Sequence, residues 1–157
     1  CQISYFSQNM VKFCHILSAI RELIGLPKAI RSAVVSPNGM QFSLVFEYDN
    51  FNMVFEEMND QEIVEFDEAI EIYQGDRKML LEYDTPYIRY LPSKLTVSEL
   101  DCGQAKTTVY GPHYHDMFAN ELLEFYRCVT THDTPKCDVF DAAEDVKLYI
   151  DVAKMMK

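Results

Sequence analysis

Four histidines carry most of the proton-handling capacity of this 157-residue chain. His113 and His115 flank Tyr114, and Asp116 follows at once. In extended backbone alternate residues project to one side, which predicts imidazoles about 6–7 Å apart. That separation suits a shared metal ion or an anionic substrate, and it equally suits the wall of a polar pocket or plain exposed surface. His15 is followed by Ile16 and Leu17, so it reads either as a packed core histidine or as a proton-transfer group. His132 falls near a predicted helix end, where an imidazole suits the helix dipole. Tyr87, Arg89 and Tyr90 lie between Asp84-Thr85-Pro86 and Leu91-Pro92. Each proline forces extended backbone on the residue before it. The link between them carries more aromatic and cationic surface than a connection needs, so function is expected there.

Other chemistries are absent. The five glycines are Gly25, Gly39, Gly75, Gly103 and Gly111, so neither GxGxxG nor a P-loop can be written. No GxSxG, HExxH or kinase motif occurs. Glu56, Glu57, Asp60, Glu62, Glu65, Asp67, Glu68 and Glu71 form an acidic run without the spacing of a calcium loop. A solvated rim is expected there, and no metal site is assigned. A net charge of -11 argues against nucleic acid or an anionic membrane as partner. No run approaches the roughly 20 apolar residues of a membrane helix. Five cysteines without CxxC spacing read as reduced thiols of a cytoplasmic protein. The chain opens on Cys1 with no initiator methionine, and is read as a fragment of a longer protein.

The elements that must hold these residues follow from periodicity. Met10 to Ile24 has helical spacing, with Phe13, Leu17, Ile20 and Ile24 in one stripe, and Gly25 and Pro27 end it. Strand patterns follow at Ala29 to Ser36, Met40 to Tyr48 and Phe51 to Met58, joined by Asn38-Gly39 and Asp49-Asn50. A further hairpin turns at Gly75-Asp76, with Ile70 and Ile72 on one face and Glu71 and Tyr73 on the other. Two more strands are expected at Lys94 to Leu100 and Thr107 to Tyr110. Asp116 caps a helix whose Phe118, Leu122, Phe125 and Val129 should face inward. Asp138 opens the last helix, expected to bury Ala142, Val146, Tyr149, Ile150 and Ala153. The fold class is therefore α+β: one open, mainly antiparallel sheet of about six strands with helices packed on one face.

His15-Ile-Leu-Ser-Ala-Ile-Arg-Glu-Leu-Ile-Gly25-Leu-Pro27 resembles a helix of the Gfo/Idh/MocA oxidoreductases, the glucose–fructose oxidoreductase and inositol dehydrogenase family. The resemblance continues through Tyr83-Asp-Thr-Pro-Tyr87-Ile-Arg89, Leu91-Pro92 and Tyr110-Gly-Pro-His-Tyr114-His-Asp116, and ends at Asp141-Ala142 with Glu144-Asp145. It implies a dihydrodipicolinate-reductase-like C-terminal domain, residues 1–157, whose Rossmann partner lies outside this chain. NAD or NADP would be bound mainly by that partner, with none expected on this fragment alone. The implied substrate is a sugar, polyol or related hydroxy compound. His15 falls on the family's pocket histidine and becomes the catalytic candidate, while Tyr87, Arg89, His113 and His115 become substrate-binding candidates. The family's aspartate one turn before that histidine is Val11 here, and valine can neither orient an imidazole nor raise its pKa. A non-catalytic, ligand-sensing relative is the alternative.

Strand residues opposite the inward set are mixed rather than polar: Val45, Val54, Tyr73 and Leu80 stand among Ser43, Glu47, Glu71 and Lys78. Such an amphipathic face predicts a homodimer or tetramer formed through the open sheet.

Overall fold

The structure, a computed structural model, describes residues 15–58, 68–84 and 88–156. Val11, Phe13, Tyr87, Cys1, Cys14 and residues 59–67 of the acidic run lie outside the described residues. The chain divides into two compact units, Cys1–Glu62 with Lys136–Lys157, and Ile63–Pro135.

The first unit contains helix α1 (helical over residues 15–24) and the antiparallel strands β1 (Ala29–Val35), β2 (Gln41–Glu47) and β3 (Asn52–Met58) in the order β1-β2-β3. Helix α3 (Val139–Met155) packs on β1. Phe42, Leu44 and Phe46 alternate along β2 and are all buried, as a strand with one covered face requires. Phe42 stacks on Phe55 of β3 at 5.8 Å. Leu17 and Ile20 of α1, both buried, line one apolar crevice with Phe46 and Tyr48. Gly25 ends α1 at a φ of 83°, and the Tyr48 hydroxyl donates to its carbonyl.

Two turns of this unit differ in kind. Asp49-Asn50 forms the expected two-residue connection, closed by Tyr48 N–H to Phe51 C=O. The connection at Asn38-Gly39 is wider, running from Ser36 to Gln41. Pro37 sets the first central position of a type I turn and Gly39, at φ 74°, leaves it left-handed. The Asn38 side chain accepts from Ser36 Oγ and Met40 N–H.

The second unit contains β4 (Glu68–Gln74), β5 (Arg77–Tyr83), β6 (Pro92–Asp101) and β7 (Gln104–Tyr114), antiparallel in the order β4-β5-β6-β7, and helix α2 (Met117–Thr131). Gly75-Asp76 is the expected two-residue turn. Cys102-Gly103, at φ 50° and 80°, is another, which lengthens β6 and β7 to meet at Asp101 and Gln104. Cross-strand registry aligns Ile70, Leu81, Leu95 and Tyr110 in one row, and Ile72, Met79 and Val97 in the next.

The single sheet of about six strands is thus corrected to two sheets, of three and four strands, within an α+β fold. Tight turns enforce pairing only between the strands they join. Nine residues separate β3 from β4, too many to enforce such a pairing. The helical faces also need correction. In α2 none of Phe118, Leu122, Phe125 and Val129 is buried, and among the described residues no strand of its own unit packs on it. In α3 the buried residues are Asp145, Tyr149 and Val152, while Val146 and Ile150 are exposed.

Candidate functional site

The second unit gathers its polar residues where β7 leads into α2. Between Ser93–His113 and Leu95–Tyr110, β6 advances two residues while β7 advances three. The extra residue makes a bulge at Gly111-Pro112, a device that re-aims the side chains after it. Only glycine fits the first bulge position. Its φ is 108°, and a Cβ there would stand 2.8 Å from the Ser93 carbonyl oxygen and 3.3 Å from the His113 ring. Just beyond the bulge, His113 and His115 stand 6.0 Å apart between ring centroids, with planes tilted by 31°. Both rings are exposed.

The link after Asp84 reaches the same corner. Tyr90 adopts a left-handed φ of 61°, and its N–H donates to the His115 carbonyl at 3.1 Å. Arg89 extends over the start of α2 and pairs with Asp116 at 3.7 Å. Asp116 also caps α2 by accepting from Ala119 N–H at 3.0 Å. Its two oxygens therefore serve two tasks, holding the guanidinium and closing the helix end. Arg89, His113 and His115 are the predicted site residues that the structure brings together. Tyr87 lies outside the described residues.

His15 belongs to the first unit and is exposed at the described start of α1, so the packed-core reading does not hold for it. Two turns on, the same helix supplies an arrangement the sequence did not reveal. Arg21 donates from Nη1 and Nη2 to both oxygens of Asp141, each at 2.7 Å, and from Nε to Asp145 at 2.7 Å. Asp145 is the buried charged residue of the described set. The Arg21 guanidinium, with help from the Cys137 thiol, holds the Asp141 carboxyl below its usual range. The bond to Asp141 and burial in turn push the Cys137 thiol up. This cluster has every charge answered, and it reads as a clamp between α1 and α3. The only sequence signal for it was negative: Asp141 and Asp145 sit one turn apart on a helix with a stripe to bury.

Each unit joins an antiparallel sheet with helical segments, so the fold class is α+β. No family model matches the chain, and no curated protein matches it. Among solved structures the chain is similar in fold to the "putative oxidoreductase yvaA" from Bacillus subtilis, with a TM-score of 0.67 over 90% of this chain at 11% identity. This chain spans 48% of that one. Among the described residues no helix is long and apolar enough to cross a membrane.

Proposed function

We propose that this chain is the substrate-binding and assembly portion of an NAD(P)-dependent oxidoreductase of the Gfo/Idh/MocA type, acting on a sugar, polyol or related hydroxy compound. The observation that carries the reading is a fold shared over nine-tenths of this chain with half of a longer protein described as a "putative oxidoreductase". The corner of Arg89, His113 and His115 supplies the donors that hydroxyl recognition needs, on a bulge and a helix cap rather than on a mobile loop. In this reading a separate domain binds the dinucleotide, which supplies hydride transfer. Arg89, His113 and His115 orient the substrate, while Tyr87 and His15 keep the substrate-binding and proton-transfer roles that the family resemblance implies for them.

The test is a screen of the full-length protein against sugars and polyols with NAD and NADP, followed at the nicotinamide absorbance. His15→Ala should lower kcat by roughly 10²–10⁴-fold. His113→Ala should act mainly on KM, as a residue that binds ground state and transition state alike does. No turnover on any compound, with binding of one retained, selects the second reading. That reading is a ligand-sensing relative without catalysis, and it is favoured by Val11 standing where an orienting carboxylate is expected.

A further inference from the structure

We propose that His113 and His115 form a two-imidazole chelate for a divalent first-row transition metal such as Ni²⁺, Cu²⁺ or Zn²⁺. Imidazole nitrogen suits these ions, and neutral histidine is their commonest protein ligand. Metal–nitrogen bonds of about 2.0–2.1 Å place the centroids of two ligating rings about 5 Å apart at a tetrahedral angle, and up to about 6.4 Å when opposed. The observed 6.0 Å lies inside that reach, and the smaller angle needs only a small rotation of two exposed side chains. Neither ring makes a side-chain hydrogen bond among the described residues.

Two features favour a metal over an anion. Anion sites are built on permanent cations or clustered backbone N–H groups. The nearest permanent cation, Arg89, is already paired with Asp116. A metal instead uses imidazole nitrogen lone pairs, and two rings at this spacing offer two of them. No third donor completes the site among the described residues, because Asp116 spends its oxygens on Arg89 and the α2 cap. An ion held here keeps its remaining positions for water or for an oxygen ligand from outside, the open arrangement of a chelate that presents a metal rather than enclosing it.

This assignment is independent of the oxidoreductase reading, because it is tested without substrate or cofactor. Ni²⁺ is titrated into the protein at pH 7.5 and followed by calorimetry. The expected result is one site whose affinity falls at least tenfold in His113→Gln and again in His115→Gln, with His132→Gln binding as wild type. The imidazole proton resonances of the wild-type protein give a second readout that needs no variant. Paramagnetic Ni²⁺ should broaden two of the four histidines at substoichiometric metal. Absence of binding at about 1 mM Ni²⁺, unchanged affinity in His113→Gln, or broadening confined to His15 or His132 would overturn the proposal.

Discussion

Tyr83 stands opposite Glu68 at the end of the β4–β5 ladder, and burial together with that carboxylate pushes its phenol up to about 12. The folded protein thus holds the Tyr83 proton more tightly than the unfolded chain, where a phenol titrates near 10. A raised folded pKa contributes stability that is fully present below pH 10 and is lost as pH rises through 12. Denaturant midpoints measured between pH 9 and 12 should fall in the wild type and fall less steeply in Tyr83→Phe. Parallel curves for the two proteins would mean that Tyr83 titrates normally. At this scale much of the candidate site was legible. The two-residue spacing of His113 and His115 predicted the ring separation because alternation is a property of any extended chain. The bulge that aims them was not legible, since Gly-Pro marks a turn as readily as a bulge. The salt bridge of Arg89 to Asp116 was hidden for another reason: it joins two segments 27 residues apart, and no local pattern reports such a pairing.

Elements make their strongest demand at the α1–α3 clamp. Arg21 reaches two carboxylates on α3, one of them buried, and its planar fork meets Asp141 through two parallel bonds. Removing the guanidinium leaves Asp145 buried without its partner, a situation that costs about 3 kcal/mol or more. Arg21→Met should therefore destabilise by about 3 kcal/mol in urea denaturation. Arg21→Met combined with Asp145→Leu should recover most of that loss, because an apolar pair of similar volume needs no compensation. A single variant as stable as wild type would reduce the clamp to a surface ion pair. The helix existed in the sequence, capped as expected by Asp138, which accepts from Phe140 and Asp141 N–H. Its buried face was misread because hydrophobic periodicity ranks a carboxylate as solvent-facing. Only the arginine 124 positions away makes burial of Asp145 acceptable. Turn chemistry transferred better. Asp49-Asn50 and Gly75-Asp76 behaved as two-residue turns, whereas Cys102-Gly103 went unseen because cysteine is an uncommon occupant of a left-handed position.

On the scale of the whole molecule the two units differ in how they bury apolar surface. The first has a core of Leu17, Phe42, Leu44, Phe46 and Val152, all at 2% exposure or less. In the second no described residue is buried. Its β4–β7 sheet nevertheless aligns Ile70, Leu81 and Leu95 across three strands, with Ile72, Met79 and Val97 beside them. The other side of that sheet is mixed: Lys78 bridges Glu71 and lies over the Tyr73 ring, with Leu80 in the adjoining row. A sheet that carries apolar rows without a buried residue is expected to find cover in an assembly. We therefore propose that copies of this chain associate through the apolar rows of the four-stranded sheet, and not through the mixed face expected from the sequence, as a dimer or a dimer of dimers. Each copy carries a net charge of -11, so long-range repulsion opposes an attraction that is apolar at contact. Salt screens the first and spares the second, so association should tighten as ionic strength rises from about 0.01 to 0.5 M, where the Debye length shrinks from ~30 Å to a few ångströms. Sedimentation at micromolar concentration should show a species of about twice 18.3 kDa or larger, favoured by salt and weakened by Leu95→Asp. An 18.3 kDa species at every salt concentration, or a dimer that Leu95→Asp leaves intact, would show that the sheet rows are not the interface.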